Sequence, residues 1–499
     1  MSMSSGNRGR LKLLWDSTAT ENSLRAKVFR GGAWLGSGSF AEQAARFGRN
    51  MLLTRLLAPE AFGTMAVVMS ATSVLASIMD VGAREALIQN PKGSQDGHVG
   101  AAWWLAFGRS MSLYVLLFFT APFAAHFYNN SELSPLLRVA GASLIFEGIM
   151  SARAYVAIKE MKFRKWAAIN HGGGITGVIV TVILAFFIRD VWALVLGSVA
   201  EGAARSAYSY ILCPFVPPLR WDGAAIRELW HFSKGVFGLA ILNLIFIRTD
   251  IFVLAKLYSA AALGLYAMAI YVVQTPTGFL MNLLGQTLMP TYAHVQDDHQ
   301  RMNRILLQVT AALFLIGMPG LLLIFFCAHP LLTVLYGSRY GAAAGALTLA
   351  ACVALLNLAN AQITTIFYAK GVPGLHRRCV AIMAVMMIVL IYPFAKWFGI
   401  LGGQYACLLS IAVGYLFQIE RIRKVSGLDL SRYKNSLLIS GGICVGVFAA
   451  CLAAREFGGL TQPFANVAIG VLGTLIAYGI AYMVVFGGTR SRMESVLGL

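Results

Sequence analysis

The sequence is short of charge. Only 12% of its 499 residues are Asp, Glu, Lys or Arg, against about 25% in a soluble domain. Two or three soluble domains would fit the length, but so few charges would not keep them in solution. Cysteine is sparse as well. Cys213, Cys327, Cys352, Cys379, Cys407, Cys444 and Cys451 are scattered without paired spacing, mostly inside apolar segments. That pattern excludes a disulfide framework and a zinc site and leaves small packing residues as the plain reading. The phosphate-cradling GxxxxGK[ST] pattern is missing, so ATP-driven transport within this chain is excluded. The eight histidines (His98, His126, His171, His231, His294, His299, His329, His376) stand apart, with no HExxH and no His/Cys cluster. No cofactor and no metal are expected. His171, followed by Gly172, Gly173 and Gly174, reads as a loosened or kinked helix start.

What is present is apolar sequence, 58% of the chain, and it comes in blocks of about 20 residues, the length that a helix needs to cross a hydrocarbon core of roughly 30 Å. The pattern predicts an all-α polytopic membrane protein of about fourteen transmembrane helices. They are placed near 34–57, 61–88, 99–125, 134–157, 167–188, 190–212, 232–257, 261–289, 304–328, 342–369, 377–396, 398–419, 435–454 and 464–487. The expected organisation is a basic N-terminal segment (1–33), a first six-helix lobe (34–212) and an interlobe linker (213–231). A second six-helix lobe (232–420), a basic loop (421–434) and a C-terminal helix pair with tail (435–499) complete it. The N-terminal segment is too long and too polar for a cleavable signal peptide.

The formal charge of +19 does not indicate nucleic acid, whose binders gather bases on one soluble face. Here the bases lie in short clusters between apolar blocks. With the N-terminus inside and the spans alternating, 27 of the 40 basic residues fall inside, 5 outside and 8 within helices. Such a bias is the signature of cytoplasmic loops and predicts both termini cytoplasmic. All the loops are short, which argues against a membrane polymerase or ligase, since those need a large extramembrane loop with acidic or metal-binding residues. No catalytic residue is expected.

Sliding the chain by 201 residues lays RNMLLTRLLAPEAFGTMA (49–66) on DIFVLAKLYSAAALGLYA (250–267), within TDIFVLAKLYSAAALGLYA (249–267), without a gap. Arg55 falls on Lys256, Leu56 on Leu257, Gly63 on Gly264 and Ala66 on Ala267. The first helix thus matches the seventh. An even offset in helix number makes a parallel repeat, with its axis along the membrane normal, and predicts two six-helix lobes around a central cavity.

Charges inside spans are costly and face a cavity or a partner. Helix 1 carries Glu42, Arg46 and Arg49, spaced to share one face. Helix 2 carries Asp80 and Arg84, helix 6 Glu201 and Arg205, helix 7 Arg248 and Asp250; Arg109 and Glu147 are single charges in helices 3 and 4. The pairs Asp80–Arg84 and Glu201–Arg205 read as structural. Helix 1 has two arginines and one acid, a net positive face. Two readings of Arg46, Arg49, Arg109 and Arg248, with Arg84 a weaker member, stand side by side: lining a cavity for a phosphate or pyrophosphate, which guanidinium recognises through forked donors, or pairing with acids. Glu42, Glu147, Asp80 and Asp250 are the acids available for pairing or for coupling to a cation or proton. The segments KEMKFRKW (159–166) and LRWDGAAIRELWHF (219–232) read as short amphipathic helices lying in the interface among membrane lipids.

These residues resemble the polysaccharide-transporter (Wzx-like oligosaccharide flippase) branch of the multidrug/oligosaccharidyl-lipid/polysaccharide exporter superfamily. The match rests on LLTRLLAPEAFGTMAVV (52–68), DVGAREALIQ (80–89), RTDIFVLAKLYSAAALGLYAMA (248–269), TLMPTYAHVQDD (287–298) and VLYGSRYGAAAGAL (334–347). The resemblance implies two lobes that alternate in access around a cationic cavity. It implies oligosaccharide on undecaprenyl pyrophosphate as substrate, the bacterial inner membrane as location, and service to exopolysaccharide, capsule or O-antigen assembly, with a polysaccharide polymerase or assembly complex as partner. Asn243, Gln274 and Gln286 would then meet sugars. Two relatives of the same superfamily compete with this reading. One is a cation-coupled multidrug antiporter, which the arginines of helix 1 disfavour. The other is a peptidoglycan-precursor flippase, which shares the cationic cavity.

Overall fold

The computed structural model describes residues 24–79, 87–88, 90, 92–218, 223, 237–431, 433–435, 442, 445–449, 468, 471–476 and 479. Asp80, Arg84, nearly all of 219–232 and most of the two C-terminal spans lie outside them. Among the described residues the chain is helical and has no strand. The elements are α1 (Leu24–Leu56), α2 (Pro59–Met79), α3 (Asp96–Phe127), α4 (Leu133–Gly148), α5 (Arg153–Lys159), α6 (Phe163–Ile188) and α7 (Val191–Leu212). They continue with α8 (Phe237–Leu257), α9 (Ala260–His294), α10 (His299–Tyr336), α11 (Ala344–Ala369), α12 (Pro373–Phe398) and α13 (Gly402–Ser426). Among the described residues, seven stretches, one of them holding both α12 and α13, are long and apolar enough to cross a membrane; the bent pair α4–α5 would make an eighth.

Each of the first twelve expected spans coincides with one of these helices, save that the fourth, expected unbroken over 134–157, is divided into α4 and α5 by a bend of 58°. Backbone groups freed inside a membrane need partners, and the neighbours supply them. The Ile149 carbonyl accepts from Tyr210 Oη at 2.7 Å and from Trp103 Nε1 at 3.3 Å. The Ser151 amide donates to Ser209 Oγ at 2.9 Å, and Ser151 Oγ donates to the Cys213 carbonyl at 2.7 Å. The segment 159–166 is not the amphipathic helix expected. Helix α5 ends at Lys159, Met161 takes a left-handed φ of 57°, and α6 begins at Phe163.

The chain forms two compact units. The first holds Met1–Leu57 with Ala71–Ala240, the second Ala58–Ser70 with Ile241–Leu499, so the opening turns of α2 are packed with the second unit. In the first unit α6 packs on α7 and α1, and α4 on α3 and α7. Small residues set the spacing: a β-carbon on Gly148 would lie 1.8 Å from Ser110 Oγ, and one on Gly197 would lie 1.8 Å from Thr181 Oγ1. The second unit has an apolar centre in which Tyr292, Met302, Phe314, Ile363, Phe367 and Ile422 are buried together from α9, α10, α11 and α13.

The two copies of the repeated turn meet inside the second unit. Pro59, whose fixed φ suits a first helical position, opens α2. Helix α9 opens behind Ser259, whose Oγ accepts from the Ala262 amide at 3.3 Å as an N-cap does. A β-carbon on Gly63 would lie 1.9 Å from the Ala260 carbonyl oxygen, and one on Gly264 would lie 1.9 Å from that of Pro59. Pro59 and Ala260, like Gly63 and Gly264, are 201 positions apart, so the contact is reciprocal under the repeat.

Candidate functional site

Three helices of the first unit bring five ionisable groups together. On α1, Arg46 bonds back one turn to Glu42, with Nε at 3.0 Å and Nη2 at 2.8 Å from Glu42 Oε1. The same Nη2 reaches Glu201 Oε1 of α7 at 2.7 Å. One turn along α7, Arg205 Nη2 lies 2.6 Å from Glu201 Oε1 and 3.8 Å from Glu42 Oε1. From α6, His171 Nδ1 stands 2.7 Å from the second oxygen of Glu42. The Glu42, Glu201 and Arg46 side chains are only 13%, 16% and 21% exposed. With a neutral imidazole the four ions sum to zero, and a proton on His171 leaves one positive charge.

The Gly-rich run of α6 makes room for this network. A β-carbon on Gly173 would lie 2.3 Å from Arg205 Cγ, one on Gly174 2.2 Å from Glu42 Oε1, and one on Gly177 2.5 Å from Glu201 Cβ. From the other side Gly38 of α1 admits the imidazole, 2.5 Å from His171 Cδ2. Reading His171 and its glycines as a loosened helix start is therefore corrected. Helix α6 runs unbroken from Phe163 to Ile188; its glycines are the floor of an ion network, and the histidine belongs to it. The signal was in the sequence, because glycines at consecutive turns of a span mark close approach of a neighbour.

The sequence-predicted residues fall as follows. Arg46 is compensated by Glu42 and Glu201, so the net positive face expected on α1 is altered at that position. The Glu201–Arg205 pair is present and is joined to Glu42 and Arg46. Arg49 Nε and Nη2 donate to Asn50 Oδ1 at 3.2 and 3.1 Å. Arg109 is half-buried on α3, and Glu147 is exposed near the end of α4.

In the second unit Asp250 of α8 is 9% exposed. Its Oδ2 accepts from Tyr266 Oη of α9 at 2.9 Å, and its Oδ1 accepts from the Ile251 amide at 2.8 Å. Gln404 Nε2 of α13 donates to the same Tyr266 Oη at 2.9 Å. Gly403 admits the phenol, since a β-carbon there would lie 2.6 Å from Tyr266 Oη. Tyr266 and Gln404 were not singled out from the sequence, where a lone Tyr or Gln in a span carries no spacing signal. Arg248 is half-buried, and its Nε is buried without a hydrogen-bond partner among the described residues. Asn243 and Gln274 are exposed, while the side chain of Gln286 lies outside the description. The described residues hold no His/Cys/Asp/Glu group able to bind a metal.

Both networks can carry protons or steady a helix interface, and the first can present guanidinium to an anion. The lipopolysaccharide biosynthesis protein WzxC of Escherichia coli (strain K12) is 22% identical over 398 residues, 79% of either chain. Among solved structures, the lipid II flippase MurJ in its inward closed conformation superposes with a TM-score of 0.72 at 13% identity, covering 90% of this chain and 98% of that one. An inward-facing multidrug resistance MATE family transporter of the MOP superfamily gives 0.58 at 12% identity, over 77% and 95%. These likenesses establish an all-helical fold shared with MOP-superfamily transporters, the superfamily to which the sequence motifs pointed. The family described as "Polysaccharide biosynthesis protein" matches residues 52–344, more than half of the sequence, and this membrane chain belongs to it.

Proposed function

We propose that this chain is a flippase that moves an oligosaccharide carried on undecaprenyl pyrophosphate across a bacterial inner membrane by alternating access, with both termini in the cytoplasm. Membership of the polysaccharide biosynthesis family is the observation that carries the reading, and the likeness to WzxC supports it. The described residues add a physical reason. A translocated pyrophosphate needs forked cationic donors within the membrane, and Arg46, Arg49 and Arg109 in one unit and Arg248 in the other are such donors. Arg46 and Arg205 share two carboxylates, so an arriving phosphate would compete with Glu42 and Glu201 for the same guanidinium faces. Substrate arrival and helix pairing are thereby opposed. Asp250, buried among neutral hydrogen-bond partners, is the acid best placed to hold a coupling proton.

A peptidoglycan-precursor flippase is the second reading, favoured by the TM-score with MurJ. Deletion in the host, with analysis of surface polysaccharide and extractable polyprenyl-linked intermediates, separates the two. The proposal expects loss of a surface polymer, with its repeat units accumulating on the cytoplasmic side. Intact polymer with stalled wall synthesis would transfer the assignment to the second reading. Intact polymer with altered sensitivity to cationic drugs would instead favour an antiporter.

A further inference from the structure

The ends of several helices of the first unit border a pocket of about 250 Å³, whose lining shares no residue with the ion network. It is too small for an oligosaccharide. Ser94, Arg153, Glu160, Lys162, Lys165 and Cys213 are among the residues that line it. They come from the approach to α3, the start of α5, the α5–α6 turn, the first turn of α6 and the residue after α7. The pocket therefore opens where the membrane spans end.

Three of these residues are bases, each held in place by one weak partner. Arg153 Nη2 lies 2.8 Å from Asp96 Oδ1, and Lys162 Nζ lies 2.5 Å from Glu160 Oε2. Lys165 Nζ donates to the Leu212 carbonyl at 2.8 Å. The paired side chains are between 43% and 82% exposed, and ion pairs that exposed contribute little. They can be exchanged for a multiply charged phosphate, whose charge-assisted bonds are stronger. Two longer helices, α3 and α6, begin at this pocket, and neither has a side-chain cap on its first turn; amides left in that state favour an anion. Burial pushes the Cys213 thiol above its ordinary value, Lys165 and Lys162 pull it the other way, and Glu160 adds a smaller upward push. The left-handed Met161 lies in the tight turn that carries Lys162 to the start of α6, one turn before Lys165. The pocket is thus positive, with three bases against one acid among its lining side chains, and lies at the ends of α3, α6 and α7.

We propose that this pocket is a phosphate-binding site at the membrane edge, with Arg153, Lys162 and Lys165 as its donors. A lipid headgroup and a soluble phosphate present the same chemistry to it. The inference does not depend on the flippase reading, and its test reads binding alone. Full-length protein in phosphatidylcholine nanodiscs would be titrated calorimetrically with inorganic pyrophosphate. Saturable binding is expected, weakened about tenfold or more in Lys162→Gln/Lys165→Gln, since the loss of even one of the two charge-assisted bonds costs that much, and kept in Lys162→Arg/Lys165→Arg. Thermal unfolding of the variants would check that the fold is intact, and Arg153→Gln provides an independent variant. Repeating the titration with increasing phosphatidylglycerol identifies the source: competition points to a lipid headgroup, and unchanged affinity to a soluble phosphate. No saturable binding, or equal affinity in the glutamine variants and the parent, would overturn the proposal.

Discussion

Arg46 Nη2 sits 2.7 Å from Glu201 Oε1 across 155 positions of sequence, and also 2.8 Å from Glu42 Oε1 on its own helix. One guanidinium therefore ties α1 to α7 by neutralising an acid on each. Arg46→Gln leaves Glu42 and Glu201 with Arg205 and the His171 imidazole as their partners, and breaking a buried pair from one side costs about 3 kcal/mol. We expect this variant to lose thermal stability and polymer export together. Glu42→Gln/Arg46→Gln removes one charge of each sign and should recover most of the stability. Export then decides the role of Arg46. Continued loss of export in the restabilised double variant is expected if the guanidinium handles substrate; recovered export would make it a structural tie.

The glycines of α6 give a contrast within one run. Gly177→Ala drives a β-carbon to 2.5 Å from Glu201 Cβ and 3.1 Å from its Cα, so α7 has to move; overpacking of this kind costs about 1–3 kcal/mol. Gly172→Ala meets nothing nearer than Tyr208 Cε2 at 3.4 Å and gains helix propensity of up to about 1 kcal/mol. Thermal unfolding in detergent should therefore shift down for the first and hold or rise for the second. A downward shift of equal size in both would mean that α6 needs glycine for flexibility rather than for room.

Legibility in the sequence followed the range of the interactions. Helices over the first twelve expected spans could be read because hydrophobic length is local, and the Glu201–Arg205 pair could be read because i,i+4 spacing is local too; Glu42 and Arg46 have the same spacing, which left Arg46 open to either a cavity or a pairing role. What could not be read is that the two pairs are one network, since their meeting depends on the packing of α1 against α6 and α7. The same packing turned His171 from a marker of helix fraying into a partner of Glu42. The break between α4 and α5 was hidden because Trp103, Ser209 and Tyr210, distant in sequence, satisfy its freed backbone groups. The 201-residue offset carried long-range information, since it paired Gly63 with Gly264, the two glycines whose helix turns touch in the second unit.

Asp250 tests whether a buried carboxyl is there for its hydrogen bonds or for its proton. Asp250→Asn keeps an oxygen able to accept from Tyr266 Oη, gives up the bond from the Ile251 amide, and should lose about 1 kcal/mol of stability. Asp250→Ala strands the Tyr266 hydroxyl and should lose about 1–3 kcal/mol. If the carboxyl carries a coupling proton, the asparagine variant is a folded protein that does not export polymer. Normal export by Asp250→Asn would remove Asp250 from the coupling role and leave it as a packing group.

The reciprocal contact at the repeated turn makes the sharpest stability prediction, because the atoms in the way are backbone. An alanine methyl at position 63 would lie 1.9 Å from the Ala260 carbonyl oxygen and 3.0 Å from the Gly264 amide nitrogen, and one at 264 meets Pro59 and Gly63 at the same distances. A flexible side chain can swing aside; a carbonyl in a helix turn can do so only if α2 and α9 separate. Gly63→Ala and Gly264→Ala should each destabilise the protein by about 2–3 kcal/mol. The double variant should cost less than the sum, since the first methyl already forces the separation that the second needs. Gly278→Ala is the control, on α9 with nothing within 4 Å of its β-carbon. Additive losses at 63 and 264 would show that the two turns are strained independently, and the reciprocal contact would then not be what joins them.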